Sequence, residues 1–219
     1  MKSIDKTEQL NQLFEEWENS IPEYKNKFIK DGIINEELFQ NANQKILFIE
    51  KEGNNPKQEA GDFREWWKTE VFYGFSYRLA EWSYGIMNSF PAFDTIWENE
   101  KLYHKMIQQI ALVNIKKSGG TGNSDFSEMM RHLQMNKEFL CREIDIINPE
   151  IIITGVTWNE LLHGLFPGKE WIKSGYTILL SRCKNARVID FYHPSARNGP
   201  AASYSLMQNV VKSDAFQNL

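Results

Sequence analysis

"KILFIEKEGNNP", residues 45–56, decides the fold. "KILFIE" is a short apolar run with β-branched residues. It closes on "KEGNNP", the pattern of a buried strand that ends in a loop. The pattern returns downstream. "MIQQIALVNI" (106–115) ends as a second strand and runs into "KKSGGTGNSD", a loop by its Gly, Ser and Asn content. "PEIIITG" (149–155) is a third buried strand, and "YTILLS" and "RVIDFY" are two more. Helical patterns separate them. "TEQLNQLFEEWENS" spaces Leu10, Leu13, Phe14 and Trp17 along one helix face behind Thr7 as N-cap. A second helical stretch covers about 22–42. "DFREWWKTEVFYGFSYRLAEWSYGIM" is helical and aromatic, 127–147 is a long amphipathic helix, "TWNELLHGLF" a short one, and a last helix spans roughly 200–215.

Strands alternating with helices imply an α/β protein with three layers, α/β/α, around a central, mostly parallel sheet. No repeat, low-complexity tract or linker divides the chain. A single domain over 1–219 is expected, with a helical extension at 1–44 and the α/β core at 45–219.

Composition narrows the function. The 219 residues are 42% hydrophobic and 13% aromatic, so the chain is globular and has aromatics enough to line a cleft. No apolar run reaches the length of a membrane span, and "MKSIDKTEQLNQLFEEWENS" lacks the apolar segment of a secretory signal. Cys141 and Cys183 lie far apart in sequence, which suits free thiols in a reducing, cytoplasmic setting and excludes a multi-cysteine metal or iron–sulfur site. The four histidines are scattered and HExxH is absent, so no metal is expected. "SGGTG" lacks the spacing of a nucleotide triphosphate loop, GxSxG and CxxC are missing, and no cofactor is implied. The net charge of −4 argues against a generally basic surface. Charge is uneven, however. Residues 1–100 carry 11 Lys and Arg against 19 Asp and Glu, and residues 101–219 carry 14 against 10. An anionic partner should meet the second half, unless the unevenness is chance.

In sheets of this kind, sites form at the carboxyl ends of the strands. Three polar loops are expected to leave strand ends, at 50–56, 114–125 and 193–199. The first offers Glu50, Lys51, Glu52, Gly53 and Asn54. A carboxylate there can orient or activate a water; the plainer reading is a solvated turn. The second opens with Asn114, whose amide suits the hydrogen-bonding edge of a base or caps a turn. The third, "FYHPSAR" (191–197), offers His193, either a loop histidine or a neutral donor to developing negative charge. Ser118, Gly119, Gly120, Ser195 and Arg197 supply hydroxyls, open backbone and a cation, the parts of phosphate contacts. Trp66 and Trp67 read as helix-face core residues.

The order of these stretches resembles the uracil-DNA glycosylase superfamily, closest to its iron–sulfur class but without the cluster cysteines. "ILFIEKEGN" resembles the first-strand motif with its water-activating loop, "ALVNIKKSGGTGNSDF" the strand ending in Asn, and "VIDFYHPSAR" the last strand followed by His-Pro-Ser. "FLCREIDIINPEIIITG" is similar to the helix and strand that the class places between them, so the likeness spans roughly 45–200. It implies a protein of that fold that flips a base out of DNA and hydrolyses its N-glycosidic bond. Glu52 would position the water and His193 would donate to the leaving base. Phe63 would stack on the base beside Gly53, and Asn114 would read its edge. Ser118, Ser195 and Arg197 would hold phosphates. Glu50 replaces the motif's usual glycine, and Lys117 stands about where a cluster cysteine would be. A carboxylate at 50 is expected to repel phosphates. The alternative is a glycosylase-fold module that binds nucleic acid or a nucleotide without hydrolysis.

Overall fold

A computed structural model describes residues 5–69 and 73–219. Helix α1 (Lys6–Ser20) is capped by Asp5, whose carboxylate accepts the Glu8 N–H at 2.8 Å. Thr7 instead lies inside the helix and donates its hydroxyl to Glu36. The stretch 22–42, expected to be helical, is mostly not. It holds a 3-10 turn at Pro22–Tyr24, strands β1 (Ile29–Lys30) and β2 (Gly32–Ile33), and a short helix α2 (Glu36–Gln40). Gly32, at φ 99°, breaks the helix where the chain turns between the two strands.

Next come β3 (Ile46–Asn54), β4 (Gly61–Asp62), α3 (Phe63–Trp67), α4 (Gly74–Met87), α5 (Glu100–Ile107) and β5 (Ala111–Gly120). The chain continues through α6 (Phe126–Ile147), β6 (Ile151–Thr154), α7 (Asn159–Leu165), β7 (Ile172–Lys173), β8 (Leu179–Cys183), β9 (Ala186–Asp190), α8 (Pro200–Lys212) and α9 (Asp214–Gln217). Both β3 and β5 outrun their apolar sequence. They stay paired through the polar residues expected to be loops, with Glu52 opposite Lys116 and Asn54 opposite Gly120.

Seven strands form the main sheet in the order β2-β5-β3-β6-β9-β8-β7. The inner four are parallel, whereas β2, β8 and β7 join antiparallel. The sheet is therefore mixed, with a parallel centre. The turn at Lys184 and Asn185 is too short for a crossover and forces β8 against β9 antiparallel. β1 and β4 pair separately in a two-stranded ribbon.

Alternation along the strands divides the core. Leu47, Ile49, Val113, Ile152 and Val188 face α1, α6 and α7. Ile46, Phe48, Leu112, Ile153 and Ile189 face α4, α5 and α8. The three layers follow from this. Each large side chain buried here stabilises the fold by about 1.5–3 kcal/mol. The N-terminal region shares the same core, through Phe14, Trp17 and Tyr24.

A buried ion group ties that region to the sheet. Lys117 is fully buried, with its ammonium 2.5 Å from Asp31 and 2.7 Å from Glu143. It lies over the rings of Trp17 (5.0 Å) and Phe14 (5.7 Å).

From β3 the chain passes to β5 on one side, then returns through α6 to β6 on the other. The carboxyl ends of β3 and β6 therefore flank the point where the winding reverses, the place where such sheets open a crevice. Among the described residues, no helix is long and apolar enough to cross a membrane.

Candidate functional site

Glu50 lies at this reversal point. The alternation that turns Ile46 and Phe48 toward α4 carries on to residue 50, so its side chain enters the same face. It is 2% exposed, and neither carboxyl oxygen has a hydrogen-bond partner among the described residues. Gly155, just after β6, makes room for it. A Cβ there would stand 2.5 Å from both oxygens. Burial pushes the Glu50 carboxyl up to about 8, against a smaller downward pull from Lys51. The group is thus mostly uncharged at neutral pH, and the phosphate repulsion expected of it is largely removed.

His193, on the loop after β9, faces Glu50. Its Nε2 is 3.3 Å from Glu50 Oε2, close but not aligned for a hydrogen bond. The Ser195 backbone N–H donates to Nδ1 at 3.1 Å, so the neutral ring carries its proton on Nε2. Burial, helped by the charge of Lys51, pulls the imidazole down to about 4. At neutral pH the site therefore presents an uncharged carboxylic acid and an uncharged imidazole N–H side by side.

Aromatic rings line this end of the sheet. Phe75 stands 5.7 Å from the His193 ring. Phe63 packs directly on Gly53, where any Cβ would collide with its ring. Trp66 is 5.8 Å from Phe63 and 6.2 Å from Tyr73. Trp67 is buried as expected of a core residue, whereas Trp66 is 42% exposed and joins the aromatic surface. Lys51 lies 5.1 Å over the Trp158 ring.

The remaining sequence-derived residues lie among other partners. Glu52 is bound by Lys116 at 2.8 Å, and Lys116 also holds Glu128 at 2.9 Å. Asn114 donates its backbone N–H (2.8 Å) and its side-chain amide (3.2 Å) to Asp31. Glu52, Asn114 and His193 therefore form no single hydrogen-bonded group. Ser118 is buried within β5, and Gly119 packs against the Asn55 backbone, so this segment is paired strand rather than open loop. Ser195 and Arg197 are exposed on the loop after β9, and Pro194 is buried beneath them.

The sequence reading placed Glu50 at a strand end but gave the catalytic part to Glu52, and it did not single out Phe75. Glu50 carried a signal, since it continues the two-residue period of Ile46 and Phe48. Phe75 carried none, because its place beside His193 depends on how α4 docks.

Among the described residues, no group of three or more His, Cys, Asp or Glu is arranged to hold a metal ion. Compared with protein-family models and with curated protein sequences, the chain matches none.

Proposed function

We propose that this chain is a uracil-DNA glycosylase-like N-glycosidase, acting on uracil or another modified base flipped out of DNA, with Glu50 and His193 as its chemical pair. The observation that carries this reading is the unpartnered, buried Glu50 carboxyl 3.3 Å from His193 at the reversal point of the sheet. An unpartnered buried acid is costly, and such groups concentrate where chemistry is done. Support also comes from the order of the parallel strands and from the aromatic lining, which suits a planar base.

In this scheme the base enters beside Phe63, and stacking contributes about 1–3 kcal/mol. His193 Nε2–H donates to a base carbonyl oxygen as negative charge grows there. The C1′–N bond breaks, its electron pair goes to the base, and Glu50 delivers its proton to the departing nitrogen. Water then adds its oxygen to C1′ and returns a proton to Glu50. The net change is one water consumed, one free base and one abasic sugar formed. Ser195 and Arg197, exposed beside His193, would hold flanking phosphates.

A second reading is favoured by the Glu52–Lys116 and Asn114–Asp31 pairs, which occupy two groups the resemblance assigns to catalysis and base reading. It is a binding module for nucleic acid or a nucleotide. Oligonucleotides carrying one uracil, hypoxanthine or xanthine, incubated with the protein and then treated with alkali, separate the two. Strand cleavage that falls at least about 100-fold in His193→Ala supports the glycosidase. Salt-dependent binding without cleavage supports the module. Neither cleavage nor binding overturns both.

A further inference from the structure

A cleft lies beside α3, lined in part by Arg64, Glu65 and Lys68. It encloses about 340 Å³ between α1, the β1–β4 ribbon and the start of α2. Phe63 and Trp66 face the aromatic surface, whereas Arg64 and Lys68 line this cleft. One short helix thus carries residues of the aromatic surface and of this cleft.

The carboxylates of the cleft are already engaged. Glu36 accepts the Lys6 and Thr7 backbone N–H groups and the Thr7 hydroxyl at 2.6–2.8 Å. Asp62 accepts Arg64 through its backbone N–H, Nε and Nη2 at 2.6–2.9 Å. Glu65 is held by Lys68 at 2.6 Å. What remains unpaired among the described residues is a set of donors. Arg64 is 6% exposed, yet its Nη1 has no hydrogen-bond partner among the described residues. Its guanidinium is fixed by Asp62, by the Asn11 oxygen at 2.8 Å and by the Phe14 ring at 5.5 Å. Lys30 is half-buried and makes no ion pair or hydrogen bond among the described residues; its charge helps hold the Asp62 carboxyl below the usual range. The Asn11 oxygen faces Arg64, which leaves its amide N–H groups without a partner among the described residues.

A buried, pre-positioned guanidinium N–H, an unpaired ammonium and a free amide on one cleft make a receptor for an oxyanion. We propose that this cleft binds a phosphoryl group, through Arg64, Lys30 and Asn11. The site lies outside all the strand-end loops and needs no base chemistry, so it stands whether or not the protein releases bases. Because Arg64 adjoins Phe63, a backbone phosphate of an oligonucleotide held at the aromatic surface is one source of the group. A free phosphate compound is the other.

The test is calorimetric titration of the full chain with inorganic phosphate, alongside anisotropy with a labelled single-stranded oligonucleotide. Two variants leave the fold's bonds in place. Lys30→Gln removes an unpaired charge. Asn11→Asp keeps the acceptor for Arg64 and sets a negative charge in the cleft. Saturable phosphate binding that weakens at least about ten-fold in each variant is expected. Loss of oligonucleotide affinity in the same variants assigns the group to a nucleic-acid backbone. Unchanged oligonucleotide affinity with lost phosphate binding assigns it to a free phosphate compound. Absence of phosphate binding by the wild-type chain, or equal binding by all three proteins, overturns the proposal. Base release by His193→Ala reads the other site separately.

Discussion

Two neighbouring strands bury ionisable groups in opposite ways. On β5, Lys117 enters the core between two carboxylates and two aromatic rings, and its ammonium is held from every side. On β3, Glu50 enters the core with neither oxygen bonded among the described residues. Both are at most 2% exposed, so burial does not distinguish them. Partnership does. A buried cation held by two carboxylates fixes how elements dock, here the N-terminal region onto β5 and α6, although Glu143 Oε1 has no partner among the described residues. A buried acid without partners discards its charge instead, and becomes a neutral donor beside His193. The first arrangement belongs to structure. The second is the kind that reactions use.

The contrast can be broken at its structural end first. Lys117→Met strands Asp31 and Glu143 in the core without their cation. Burial already raises the Glu143 carboxyl well above its ordinary range. The variant should lose roughly 3–5 kcal/mol, or fail to fold, in urea denaturation followed by circular dichroism. A loss under about 1 kcal/mol would mean that the ion group does not anchor the N-terminal region.

At the other end, Glu50→Gln should stabilise the protein in alkali. The folded-state value of Glu50, about 8, lies above its ordinary 4.5. Its stabilising contribution is therefore complete below pH 4.5 and is lost as pH rises through 8. Glutamine stays neutral and escapes that loss. Thermal or urea unfolding at pH 8.5 should favour the variant by roughly 2–4 kcal/mol, with the difference vanishing near pH 4.5. His193 works in the opposite sense. Its value is lowered from 6.5 to about 4, so its contribution is lost as pH falls through that window. An alkaline limb that is equal in both proteins would remove the uncharged acid from the site.

The smallest effect expected is at the aromatic wall. Gly53→Ala drives a methyl group into the Phe63 ring. A cost of roughly 1–3 kcal/mol in stability is expected, together with weaker oligonucleotide binding by anisotropy. Unchanged values for both would show that Phe63 gives way freely and shapes nothing at the site.

Much of the core was legible in the sequence. "KILFIE", "PEIIITG" and "RVIDFY" are short apolar runs between turn residues, and each became an inner strand. The N-terminal pattern was legible too, since Leu10, Leu13, Phe14 and Trp17 share one buried helix face. What stayed hidden depended on pairing. Lys116, Lys117 and Ser118 look like loop residues alone, yet β3 and the N-terminal region supply their partners and keep them in β5. The strands at 29–33 are two residues each, too short to show a period. Glu50 was visible as an oddity at a strand tip. Its unpartnered state was not, because sequence does not reveal that Gly155 clears a space with no donor aligned into it.

The sheet's outermost strands, β2 and β7, are also only two residues long. A strand edge is a template, since its unused amides and carbonyls can recruit the next chain. Edges this brief expose few such groups. Each edge strand therefore offers a second copy of the chain little to extend, and on β5 only Ala111 and Leu112 pair with β2. The sheet thus carries its unpaired acid at the middle and its shortest strands at the rims.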